Sequence, residues 1–211
     1  MPFPLRFKFV SYARSMSSYI PGVDIKALQA PHRVYCDVDG VAALFYSEAE
    51  FDELFRLHLD METLGNSYAR LNDCVFFGLG SRSVDISWNS HSTEKLSELS
   101  QQEDVDFIWL TTWRHEAPNK LDKLFNIHSV GYLEWNDHKG SDVGKLDALL
   151  KAESINSSQK FVWIDDTATT EQAENKLVSL GLKHVTYTPH SAEGITPTDI
   201  QQIQQFFKEG K

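Results

Sequence analysis

Cysteine is scarce in this chain: Cys36 and Cys74 are the only two. Two thiols cannot build a disulfide framework, and their separation matches no zinc-ligand spacing, so a reducing, cytoplasmic compartment is expected. Long apolar runs are missing as well. No stretch approaches the roughly 18 consecutive apolar residues that span a bilayer, which predicts a soluble chain with no membrane partner. Positive charge is also short, with 20 Lys and Arg against 30 Asp and Glu and a formal net charge of −10. A free-standing nucleic-acid binder needs a basic face to release counterions from phosphates, and this balance argues against one. It leaves open a small anionic substrate held through a metal.

The 211 residues, 41% of them apolar, are enough for one substantial core, so the expected organisation is a single domain over 31–211 with a modest insertion at about 46–83. Residues 1–30 form an extension. Phe3, Leu5, Phe7 and Phe9 alternate with Pro4, Arg6 and Lys8, the period of an edge strand. Arg6, Lys8 and Arg14 precede the first acid, Asp24, a balance that also suits a transit peptide; an extra strand or arm covering the core is the preferred reading.

The chain is organised around Val34-Tyr35-Cys36-Asp37-Val38-Asp39-Gly40-Val41, an apolar run that stops at two carboxylates one residue apart and a glycine. Such a run puts Asp37 on the last residue of a buried strand and Asp39 in the turn beyond. Phe161-Val162-Trp163-Ile164-Asp165-Asp166 is a second strand ending in paired acids, and Phe107-Ile108-Trp109-Leu110 is another that ends in Thr111 and Thr112. Further strands are expected at Val130–Trp135 and His184–Thr188. Helices are expected over about 51–61 with Ser47 as cap, from Ser92 through Leu99, from Pro118 through Phe125, over about 141–152, over about 170–180, and from Thr196-Pro197-Thr198-Asp199 onward. In the 141–152 helix, Val143, Leu146, Leu149 and Leu150 form the predicted buried face and Lys145 lies on its surface. Cys74–Phe77 and Val84–Trp88 read as two short strands of a hairpin.

Strands separated by helices imply right-handed crossovers and a doubly wound, Rossmann-like parallel sheet of the α/β class. Ligands of such sheets sit beyond the carboxyl ends of the strands, where the acids and the threonines fall.

Asp37-Val38-Asp39-Gly40-Val41, Thr111 behind its strand, a lysine before the later strand, and Asp165-Asp166 stand in the order of the haloacid dehalogenase (HAD) superfamily, and the chain resembles it from about Arg33 onward. Trp109-Leu110-Thr111-Thr112-Trp113-Arg114-His115-Glu116-Ala117, Trp163-Ile164-Asp165-Asp166 and Gly194-Ile195-Thr196 are similar to the branch found in bacterial RNA-repair proteins. The resemblance implies a HAD-like fold with a small cap or flap insertion after the first strand, and a phosphoric monoester hydrolase.

Phosphoryl transfer needs positioning and charge neutralisation, because a dianionic ester repels an anionic nucleophile. Mg²⁺ supplies the neutralisation through hard oxygen ligands, and Asp37 with Asp165 or Asp166 suits it; by resemblance the main-chain carbonyl of Asp39 is a further ligand. Asp37 is the expected nucleophile, forming an aspartyl-phosphate, and Asp39 the general acid and base. The resemblance associates an aspartate at this second position with phosphatases and phosphomutases. Thr111 offers a hydroxyl to a phosphoryl oxygen, with Thr112 as alternate and Gly40 beside the substrate. Lys145 offers an ammonium; Lys139 is the competitor, and Lys145 is favoured because it precedes Asp165 by 20 residues and has Leu149 at i+4. Two other readings are a nucleic-acid 3′- or 5′-end phosphatase working with a partner, and an inactive HAD-like binding module.

Overall fold

The computed structural model describes residues 22–44, 66–75 and 80–209. In chain order its strands are β1 (His32–Cys36), β2 (Asn66–Val75), β3 (Ser81–Asn89), β4 (Val105–Trp109), β5 (Ser129–Tyr132), β6 (Lys160–Ile164) and β7 (His184–Tyr187). The helices are α1 (Ser90–Ser100), α2 (Asp122–Phe125, entered through a π turn at Ala117–Leu121), α3 (Ser141–Ile155), α4 (Glu171–Ser179) and α5 (Pro197–Lys208). Five strands make one sheet in the order β5-β4-β1-β6-β7, parallel throughout, so the α/β doubly wound class is as the sequence predicts. β2 and β3 pair antiparallel with each other. This pair is the cap-like addition after β1, and its strands are longer than the short hairpin expected around residues 74–88. No helix among the described residues is long and apolar enough to cross a membrane.

Every residue of β1 is buried. Alternation therefore divides its side chains between two cores rather than between core and water. Val34 and Cys36 share one core with Phe107, Trp109, Val162, Ile164 and the inner faces of α1 and α5. Tyr35 shares the other with Ile108, Phe161, Trp163 and the inner faces of α3 and α4.

Several boundaries differ from expectation for local reasons. Asn89, not Ser92, caps α1: its extended backbone closes β3, and its carboxamide oxygen accepts from Ser92 N–H at 3.0 Å. The cap of α5 is as expected, with Thr196 and Asp199 in a reciprocal capping box and Pro197 opening the helix. In α3 the buried stripe is Gly144, Lys145, Ala148, Leu149, Ala152 and Glu153, while Val143 is 46% exposed. Lys145 is thus inside, not on the surface. The expected strand at 3–9 and helix at 51–61 lie outside the described residues.

The described end of the N-terminal segment is fastened to the sheet. Val23 N–H donates to the Tyr132 carbonyl at 2.8 Å, and the Asn156 carboxamide donates to the carbonyls of Ile25 (3.0 Å) and Leu28 (2.9 Å).

At the amino end of β1 is a buried ion pair. Arg33 Nη1 donates to Glu153 Oε1 of α3 at 2.9 Å and also to the Asn156 carbonyl, and Tyr35 Oη donates to the same Glu153 oxygen at 2.7 Å. Ser158 supplies its N–H and hydroxyl to Glu153 Oε2, both at 2.9 Å. Removing one member leaves a buried charge uncompensated. Glu153→Ala is expected to cost about 3–5 kcal/mol in urea denaturation, and an apolar replacement of both Arg33 and Glu153 distinctly less than that.

Candidate active site

The sheet register sets the site. Cys36 lies opposite Trp109 on one side and Ile164 on the other, so Asp37, Leu110 and Asp165 leave the three central strands at one level. The ladder ends at Cys36 and Ile164, which puts Asp37 and Asp165 each one residue beyond the strand rather than on its last residue. Their backbones are still tied in: Asp37 N–H donates to the Ile164 carbonyl at 2.9 Å, and Asp165 N–H to the Tyr187 carbonyl at 3.1 Å.

Between these two acids stands Lys145. Its Nζ donates to Asp37 Oδ2 at 2.5 Å and to Asp165 Oδ2 at 2.6 Å. All three side chains are buried, with Lys145 1% exposed and Asp165 fully enclosed. The other oxygens are satisfied by backbone: Asp37 Oδ1 by Val38 N–H (2.7 Å), Asp165 Oδ1 by Ala168 N–H (2.7 Å) and Thr167 N–H (3.0 Å). Burial pushes the Asp37 carboxyl up to about 7, with Asp165 and Asp39 pushing the same way and Lys145 opposing them. Burial would likewise strip the proton from Lys145, but its two carboxylates outweigh that and hold the ammonium charged. Lys139, the competitor, is at the surface and pairs with Asp147 at 2.6 Å.

Asp166 is half-buried, and its carboxyl is pushed up to about 6 by burial and then by Asp165. One oxygen each of Asp37, Asp165 and Asp166 lie within 4.8 Å of one another. Three hard oxygen donors at such range fit Mg²⁺. Gly40 makes the close approach feasible: its φ is +71°, and a Cβ there would stand 2.2 Å from Asp166 Oδ2. The side chain of Asp39 is outside this cluster.

Asp39 is held from another direction. Trp113 Nε1 donates to its Oδ1 at 2.8 Å and Thr112 Oγ1 to its Oδ2 at 3.3 Å. Burial raises its carboxyl, and the bonds from Trp113 and Thr112 pull the other way. Thr112 is thus a hydrogen-bond partner of Asp39. Thr111 is buried, its hydroxyl accepts from Trp113 N–H at 3.3 Å, and its carbonyl accepts from Trp135 Nε1 at 3.3 Å. Trp135 in turn lies on the first turn of α3, where a Cβ on Gly144 would stand 2.7 Å from its ring. From the sequence, Trp113 reads as a loop residue after Thr111 with a substrate contact as the alternative, not as a partner of Asp39, and Trp135 and Gly144 are not singled out for the site at all. The signal for Trp113 was its place two residues after Thr111, but an indole beside a polar loop gives no hint of its partner.

Over residues 33–200 the sequence matches the family described as the HAD domain in Swiss Army Knife RNA repair proteins. The chain belongs to that family. The comparisons with curated proteins and with solved structures gave no match. Membership makes this HAD domain one of a phosphatase-type hydrolase family, and the match spans every residue of the site, from Asp37 to Asp166. It begins at Arg33, so the segment before β1 lies outside it.

The site of this HAD domain rests on Lys145. Lys145→Met keeps the length of the side chain and leaves Asp37 and Asp165 buried together without a cation, which is expected to cost about 3–5 kcal/mol at neutral pH. Urea melts at pH 7 measure it. A variant as stable as the parent would mean that the carboxylates do not depend on the ammonium.

Proposed function

We propose that the protein is a Mg²⁺-dependent phosphate monoester hydrolase that works through an aspartyl-phosphate on Asp37. The observation that supports it most is the division of labour among the acids: Asp37 is pinned between Lys145 and the backbone, Asp165 and Asp166 stand beside it, and Asp39 is held apart by neutral donors. Bound between Asp37, Asp165 and Asp166, the metal would neutralise phosphoryl charge.

The protein's own groups then have distinct tasks. An Asp37 oxygen attacks phosphorus, and the bond to the leaving oxygen breaks as that oxygen takes the proton of Asp39. In the second half, Asp39, now a carboxylate, takes a proton from water while the water oxygen attacks phosphorus. The bond to Asp37 breaks, inorganic phosphate departs, and both acids return to their starting states. Lys145 holds Asp37 in one orientation and offsets charge that builds beside it. The Thr111 hydroxyl, which already accepts from Trp113 N–H, keeps its own proton to donate to a phosphoryl oxygen.

The substrate we favour is a small phosphorylated molecule. A second reading, processing of 3′- or 5′-phosphate ends of nucleic acid, is supported by the family description, which refers to RNA repair proteins. The net charge of −10 makes a partner with a basic grip necessary in that case.

Turnover of p-nitrophenyl phosphate is expected with millimolar Mg²⁺ and is expected to vanish in excess chelator. Asp37→Asn should lower kcat by about 10³-fold or more, and Asp39→Asn by about 10²–10⁴-fold. Beryllofluoride trapping should modify Asp37, and an adduct on another residue would refute the nucleophile. A panel of phosphorylated metabolites and of 3′- and 5′-phosphorylated oligonucleotides separates the two substrate classes.

Metal binding has a readout that needs no turnover. At a hundredfold excess over Kd, mass action contributes about 2.7 kcal/mol, or a rise in Tm of about 5–10 °C for a domain of this size. Asp166→Asn should remove most of that rise. An unchanged increment in the variant would take Asp166 out of the metal site.

A further inference from the structure

Trp113 touches two of the groups assigned above and has no assigned task. Its main-chain N–H donates to the Thr111 hydroxyl at 3.3 Å, and its indole N–H donates to Asp39 Oδ1 at 2.8 Å. The ring is 4% exposed and belongs to the core shared by Cys36, Trp109 and Ile164. A ring packed that way cannot follow a moving carboxylate. It acts as a fixed donor.

The proton-transfer group of this site needs such a donor. Asp39 sits in the turn after β1, only partly exposed, and two side-chain torsions set where its carboxyl group points. Lys145 does not hold it: the ammonium donates to Asp37 and Asp165. What fixes it are Trp113 and, at the longer distance of 3.3 Å, the Thr112 hydroxyl. An indole N–H donates only and has no charge or lone pair to titrate, so it fastens one carboxylate oxygen without competing for the proton the other carries.

We propose that Trp113 is the positioning residue of the general acid, orienting Asp39 through its indole N–H so that the proton carried by the other carboxyl oxygen faces the leaving oxygen. The inference rests on the hydrolase reading. The balance of the step is unchanged: Asp39 gives its proton to the leaving oxygen as the bond to phosphorus breaks, and Trp113 neither gains nor loses one.

Loss of proton donation weighs on a substrate in proportion to how badly its leaving oxygen needs the proton. Phenyl phosphate expels a much more basic oxyanion than p-nitrophenyl phosphate does. With Trp113→Phe, kcat/KM for phenyl phosphate is therefore expected to fall about 10²-fold, the low end of what general acid catalysis contributes, and that for p-nitrophenyl phosphate less than about 10-fold. In an Asp39→Asn background the same change should add almost nothing, because the two act as one unit. An equal fall for both substrates would mean that Trp113 merely supports the fold, and would overturn the inference. So would full additivity with Asp39→Asn. Should Phe at this position fail to fold, benzothienylalanine introduced at residue 113 alone keeps the bicyclic ring and removes only the N–H, with the same selective loss expected.

A measurement independent of turnover separates this inference from the reading beneath it. The indole N–H of Trp113 should give a downfield, slowly exchanging resonance that moves upfield and exchanges faster in Asp39→Ala. A resonance indifferent to that change would overturn the positioning role even in an active enzyme. Wild-type protein inert towards both esters, with the resonance behaving as expected, would instead overturn the hydrolase reading and leave Trp113 without an acid to serve.

Discussion

The ammonium of Lys145, enclosed between Asp37 and Asp165, is the interaction on which the rest of the structure depends. Two carboxylates leaving adjacent parallel strands at the same level would repel each other in a medium that screens poorly. The lysine turns that repulsion into two short bonds of 2.5 and 2.6 Å. It also leaves the cluster with a net negative charge, which Asp166 adds to, and a site of that sign attracts a divalent ion.

Lys145 can reach because of α3. Lys145, Leu149 and Glu153 recur at every fourth position and so share the face turned to the sheet. From Lys145 to Glu153 the helix rises about 12 Å, and from Asp37 back to Arg33 a strand covers about 13 Å. The two spans match. One helix therefore pairs with one strand at both ends, Lys145 with Asp37 and Glu153 with Arg33, with apolar Leu149 between. The charges are crossed, lysine to aspartate and glutamate to arginine, so sliding α3 by a turn breaks both pairs. The helix is located along the strand by electrostatics and against it by packing.

Close approach does similar work elsewhere. Gly40 lets Asp166 stand against the turn after β1, and Gly144 lets Trp135 lie on the first turn of α3. Gly194 is a third case: its φ is +66° and a Cβ would stand 2.4 Å from the Val41 carbonyl, which accepts from Ile195 N–H at 3.1 Å. Through it the segment leading into α5 closes against the Asp37–Val41 turn. The Gly40 contact sets Asp166 beside the turn that carries Asp37 and Asp39, and Gly40, Gly144 and Gly194 are all positions where any side chain would force the neighbouring groups apart.

The alternation of apolar strands and amphipathic helices determined the α/β class, and apolar runs ending in Asp37, Thr111 and Asp165 located the site at one end of the sheet. Those signals are local, written in periods of two and 3.6 residues and in the residues that stop them. The capping box of α5 was legible for the same reason, since Thr196 and Asp199 satisfy each other within one turn. The burial of Lys145 was not legible, because a lysine between Gly144 and Leu146 looks solvated until two carboxylates more than a hundred residues and 20 residues away are folded against it. Nor was the exposure of Val143, which gave up the inner face to that charged group, nor the bond from Trp113 to Asp39 across 74 positions. A sequence records what each residue would do alone in water or in oil; which polar groups find each other, and so can afford to be buried, is decided only when the strands are in register.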